Sequence, residues 1–290
     1  MASIDANLER AGARLRARAK YVAPGVLTRL PGTSSRFGPP RRVAPSTAEW
    51  VEHWNAGLGG AHAACVVQVH DAVDIDWTPS VGPAQLGIAS ADADTCVDHR
   101  LSTPDHRPGR PTFVLTMPRG RVAGFFGSVI TPDDTLLSDV SFGFVADERS
   151  HPIRRRLSAG HLERLPGTAA TIAFGHADAF YHWMFDVLPR LEILRLAGWD
   201  ETRWDHLVVN ASGAAYEQET LSRFGVPADR VRVVDAGTQL EADRLVVPSM
   251  VGVCGEVPAW AAHVLRERFL GAQPGDGPPL RLYISRSDTA

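Results

Sequence analysis

Within the run Phe180-Tyr181-His182-Trp183-Met184-Phe185-Asp186-Val187-Leu188-Pro189-Arg190-Leu191, three reactive side chains recur at a spacing of four: His182, Asp186 and Arg190. At about 3.6 residues per turn these positions drift slowly around a helix and share a face. An imidazole beside a carboxylate is chemistry for moving a proton. The carboxylate fixes the ring's tautomer and steadies the imidazolium, so His182 is suited to act as a general base, and removing a proton from a sugar hydroxyl is one reaction the geometry fits. Arg190 adds a planar fork for a carboxylate or phosphate oxygen. The plainer reading is an Asp186–Arg190 surface pair, worth only about 0.3–0.5 kcal/mol.

The helix that must carry this track has an apolar stripe on another side, formed by Met184, Val187, Leu188, Leu191 and Leu194. Pro189 removes a backbone donor within it and predicts a kink. A costly residue beside a charged track is more expected at a cleft than on a plain surface. A strand over 168–174 leads into this helix, which stops near Gly198. Strands over 206–209, 230–234 and 281–285, an extended stretch over 244–248, and helices over 216–224 and 258–270 follow. That alternation predicts a largely parallel sheet with helices on its faces.

The stretch before it reads as β-rich and antiparallel, with strands over 65–70, 112–117, 121–130 and 136–145. Pro118-Arg119-Gly120 and Pro132-Asp133-Asp134 are its turns, the second at hairpin distance. The expected organisation is an N-terminal helix and irregular segment (1–58), a β-rich section (59–150), a Rossmann-like unit (151–273), then a linker and a first strand of a further domain (274–290).

Other candidate sites are weaker. Gly252-Val253-Cys254-Gly255 lies between an extended segment and a helix, a place for a loop facing phosphate or hydroxyl groups. His176, Asp178, His182 and Asp186 are a conceivable metal set, and Asp74/Asp76 and Asp92/Asp94 are conceivable ligands for Mg²⁺ or Mn²⁺. None matches an established spacing, and solvated loop acids are the simpler account. Arg154-Arg155-Arg156 reads as a solvated run.

The net charge of −3 gives no reason to expect a nucleic-acid partner. Cys65, Cys96 and Cys254 are odd in number and widely spaced, which suits reduced thiols and a cytoplasmic protein. A helix over 5–20 carries Arg10, Arg14, Arg16, Arg18 and Lys20. Its simplest reading is a solvated basic face, and its sharper one a peripheral contact with anionic lipid.

The helix motif, with its aromatic pair, His-Trp, Asp and Leu-Pro-Arg, resembles that of glycosyltransferase family 61. Members of that family include bacterial capsular polysaccharide enzymes, plant xylosyltransferases and extracellular-domain O-GlcNAc transferases. The span 127–140 and Leu282-Tyr283-Ile284-Ser285-Arg286 corroborate it, and the resemblance covers roughly residues 110–290. The likeness implies an α/β chain like the N-terminal half of a GT-B enzyme. It implies an inverting hexosyl or pentosyl transferase that uses a nucleotide sugar and an acceptor glycan or lipid-linked glycan. The setting would be capsular or exopolysaccharide assembly in a bacterium, with no cofactor or metal required. His182 and Asp186 would be catalytic, with Tyr181, Trp183, Arg190 and Arg286 as substrate contacts, and the loop between the extended segment and the following helix adds Gly252 and Gly255 to that set.

Two departures accompany the likeness. Ala179 stands where the family usually has Asn, and the donor-binding half with its His-Gly-Ala-Gly type loop does not follow Arg286. The sequence therefore predicts an acceptor-side half that transfers no sugar unaided. The alternative is a non-catalytic glycan- or partner-binding module.

Overall fold

The computed structural model describes residues 38–57, 63–77, 105–145, 147–252 and 257–270. The expected N-terminal basic helix, the strand over 281–285, Asp92/Asp94, Gly255 and Arg286 lie outside the described residues. Among the described residues twelve strands follow one another: β1 (Arg42–Ala44), β2 (Cys65–His70), β3 (Ile75–Trp77), β4 (Asp105–Arg107), β5 (Thr112–Pro118), β6 (Arg121–Ala123), β7 (Ser128–Ile130), β8 (Thr135–Leu137), β9 (His161–Thr171), β10 (His206–Val209), β11 (Val231–Val233) and β12 (Thr238–Pro248). β3 and β4 form a separate antiparallel pair, and the other ten make one mixed sheet.

Strand β12 unites that sheet. One of its edges runs parallel to β9 over most of its length. The other edge pairs antiparallel, first with β6 through Gln239–Glu241 and then with β5 through Arg244–Pro248. The β-rich section and the Rossmann-like unit thus share a sheet, and the boundary drawn at residue 150 is not a break between sheets. A register shift between Ala242 and Arg244 marks a bulge, and Gly167 (φ 82°) lies in the facing stretch of β9. Such bulges bend the strands that carry them.

Beyond the bulge, β11, β10, β9 and β12 are neighbours in that order and all parallel. In chain order this is 3-2-1-4. The connections reverse direction between β9 and β12, and the crevice outside the carboxyl ends of those two strands is where such sheets place ligands.

Period-two patterning explains why both faces are covered. Ala170, Leu207, Val209 and Val246 enter one core with Trp183, Val187, Leu188, Ile193 and Leu194 of the helical segment. Their neighbours Ala169, Val208, Leu245 and Val247 point the opposite way, into a second core with Leu115, Met117, Val122 and Leu240. Helices Ala215–Arg223 and Ala259–Leu270 complete the first layer through Leu221 and Leu265.

Several boundaries differ from the sequence expectation. The strand expected over 121–130 is two strands, β6 and β7, paired across a turn in which Gly124 and Gly127 both have positive φ. Of the next expected strand, over 136–145, only Leu136 and Leu137 lie in a strand, β8, and a 3₁₀ turn over Ser138–Val140 ends it. The Pro132-Asp133-Asp134 turn does join a hairpin, β7–β8. Pro118-Arg119-Gly120 does not, since β5 and β6 each pair with β12 and not with each other.

Candidate functional site

The helical segment after β9 begins at Phe180–His182, passes through a π turn over Trp183–Val187, and resumes as α-helix over Pro189–Leu196. Leu188 N–H reaches back five residues to the Trp183 carbonyl at 3.0 Å. The wide turn is how the chain accommodates Pro189. The proline opens the second helical stretch, a place where its missing donor and fixed φ are tolerated. Single π turns of this kind are frequent at functional sites.

The polar track behaves as a depth axis. His182 keeps 19% of its side-chain surface and Asp186 11%, while Arg190 is fully buried. His182 Nδ1 meets Asp186 Oδ2 at 2.7 Å. Because its partner there is a carboxylate, the neutral ring carries its proton on Nδ1 and leaves the Nε2 lone pair free. Burial pushes the Asp186 carboxyl up from its ordinary value, while the His182 hydrogen bond and the His182 and Arg190 charges pull it back. The dyad is neither sealed within the interior nor fully exposed.

Arg190 is the first correction. Its Nη1 donates to the Ala173 carbonyl and its Nη2 to the Pro248 carbonyl, each at 2.8 Å. Those carbonyls lie just beyond β9 and at the end of β12, so the guanidinium staples the two strands at the point where the connections reverse. Burial pushes it down to about 9, with Asp186 opposing the shift, so it remains charged at neutral pH. Fully buried and with both terminal nitrogens committed to backbone, Arg190 sits as a staple between the two strands and not at an open surface. Trp183 is the second correction: it is fully buried, and its indole N–H donates to Thr220 Oγ1 at 2.8 Å. It anchors the segment to helix Ala215–Arg223.

Tyr181 stays at the surface, its ring 5.5 Å from that of His182. Phe144 and Phe174 flank the same imidazole at 5.6 and 5.5 Å. This aromatic wall was not read from the sequence, although the runs Gly124-Phe125-Phe126-Gly127 and Phe142-Gly143-Phe144 were its visible signal. Asn210, near the end of β10, supports the wall. Its Oδ1 accepts from Phe174 N–H at 2.8 Å, and its Nδ2 donates to the Phe125 and Phe174 carbonyls.

Gly252 lies apart from the dyad, in a cleft of about 790 Å³ at the end of β12. His70 and Trp260 stack there with centroids 4.5 Å apart, and Arg110, Asp71 and Asp74 contribute charge. Neither His182 nor Asp186 lines this cleft. Among the described residues no group of three or more His, Cys, Asp or Glu side chains gathers as a metal site, so His176, Asp178, His182 and Asp186 do not form one. No helix among the described residues is long and apolar enough to cross a membrane.

Compared with family models, with curated proteins and with solved structures, the chain finds no match in any of the three.

Proposed function

We propose that this chain is a glycosyltransferase of the family 61 type, on an acceptor-side α/β unit like that of GT-B enzymes. It would move a sugar from a nucleotide-sugar donor to a hydroxyl of a glycan or lipid-linked glycan, with inversion, in capsular or exopolysaccharide assembly. The observation that carries the reading is the His182–Asp186 dyad, half-buried on the helical segment that leaves β9 at the reversal point. In the reaction the acceptor O–H gives its proton to His182 Nε2 as its oxygen attacks the anomeric carbon. The bond from that carbon to the donor phosphate breaks, and its electron pair leaves with the nucleoside diphosphate. Asp186 steadies the imidazolium so formed. The resemblance assigns neutralisation of the leaving diphosphate to basic side chains and helix N-termini instead of a metal, and the odd number of widely spaced cysteines suits a cytoplasmic setting.

The full-length gene product, incubated with a panel of nucleotide sugars and oligosaccharide acceptors, is expected to yield a glycoside of inverted anomeric configuration by NMR. A retained configuration, or no product with any donor, contradicts the proposal. A second reading, a glycan-binding module without catalysis, draws on the exposed aromatic rings Phe144 and Tyr181 beside His182. Calorimetry that finds oligosaccharide binding in the absence of transfer would favour it.

A further inference from the structure

Four non-glycine residues among those described have positive φ: Arg119, Asp134, Phe144 and His176. The first two belong to short turns between strands. The last two touch each other, ring edge to ring face at 4.8 Å, and Phe144 also meets His182 of the dyad.

His176 follows the end of β9 in a turn closed by Ala177 N–H to the Phe174 carbonyl at 3.1 Å. It occupies the third position with φ 62°, where glycine or asparagine is preferred. Glycine stands one place too early to relieve this. Gly175 is there for space, since a Cβ would come within 2.7 Å of Phe126 Cδ1. An L-residue in this region costs about 1–2 kcal/mol. Burial does not offset that cost, because His176 is exposed.

The ring is nonetheless held in place. Phe125, Phe126 and Phe144 meet it edge to face at 5.4, 5.9 and 4.8 Å. Its nitrogens have no hydrogen-bond partner among the described residues. Phe144 also meets His182 at 5.6 Å, so the two imidazoles flank one phenyl ring that is itself 43% exposed. A pyranose offers an apolar C–H face for such a ring and hydroxyls along its rim for the nitrogens on either side.

We propose that His176 is a substrate-binding residue that holds a second hydroxyl of the acceptor sugar whose attacking hydroxyl sits on His182. This rests on the glycosyltransfer reading of the dyad. The opposing account makes the ring a filler of the phenylalanine box, and the two differ in what substitution does.

The test follows the imidazole nitrogens of the full chain by NMR during titration with methyl glycosides of glucose, galactose, mannose, N-acetylglucosamine, xylose and glucuronic acid. With at least one glycoside, His176 and His182 are expected to shift together with the same half-saturation. His176→Gly is expected to weaken that glycoside about 3–10-fold at an unchanged or higher melting temperature, and His176→Asn to recover most of the affinity. If His182 shifts and His176 does not, the role of His176 is overturned and the dyad reading stands. If neither shifts with any glycoside, both fall. A lower melting temperature with full affinity in His176→Gly makes the ring a filler and overturns the proposal.

Discussion

His151 is a buried histidine whose titration should be visible in the stability of the whole chain. Its Nδ1 accepts from Ile153 N–H at 3.2 Å and caps the short 3₁₀ turn Pro152–Arg155, while Nε2 has no partner of hydrogen-bonding geometry. Phe126 packs edge-on at 5.9 Å, and Gly143 leaves room for the ring by having no side chain. Burial pushes the imidazole down to about 4, offset in part by the Ser141 backbone and reinforced by the Arg154 charge. The unfolded chain therefore takes up this proton first. The stability is fully present above the ordinary histidine value of 6.5 and is lost as pH falls from there toward 4. Linkage over that window gives a loss of about 2 kcal/mol between about pH 7.5 and about pH 5. His151→Asn keeps an acceptor for Ile153 N–H in a residue favoured at such caps, and it does not titrate. It loses ring packing at a pH-independent cost of about 1–2 kcal/mol. Urea unfolding of both proteins at the two pH values separates the effects. Between these pH values the wild-type chain should lose about 2 kcal/mol more than the variant. An equal loss in both would show that His151 is not buried as a neutral ring.

Arg190→Met leaves the Ala173 and Pro248 carbonyls without their donors, and unpaired buried acceptors cost about 1–3 kcal/mol each. After relief of the guanidinium's own burial, a net loss of about 2 kcal/mol is expected in urea unfolding, whereas an unchanged midpoint would mean the staple contributes nothing. Glu217 is buried and accepts from the backbone N–H groups of Ser212, Gly213 and Ala214 and from Ser212 Oγ. Glu217→Gln turns one acceptor oxygen into a donor facing those N–H groups and should cost about 1–3 kcal/mol by the same assay. A variant as stable as the wild type would refute the idea that Glu217 holds the backbone N–H groups at the start of helix Ala215–Arg223.

The dyad was legible because it depends on helix period alone: His182 and Asp186 are four apart in an amphipathic stretch, and they meet. What became of Arg190 and Trp183 was not legible. Whether a polar side chain faces a groove or a backbone carbonyl depends on where β9 and β12 end, and that is tertiary information. Pro189 announced an irregularity, but not that a π turn would absorb it without ending the helical path. The alternation of strands and helices after residue 160 was readable from local patterning. The joining of the two halves through β12 was not, since its partners Arg121–Ala123, Thr112–Pro118 and His161–Thr171 are all distant in sequence. The aromatic wall draws on residues 125–126, 142–144, 174 and 181, which no helical or strand period links.

The turnover of His182→Ala and Asp186→Asn in the full-length gene product, with nucleotide sugar and acceptor both saturating, bears most directly on how the dyad works. General-base catalysis by a carboxylate-held imidazole predicts that kcat falls about 10²–10⁴-fold in each variant while far-ultraviolet circular dichroism is unchanged. Turnover near the wild-type rate in both would contradict it, and the proton would then have to be taken by some other group.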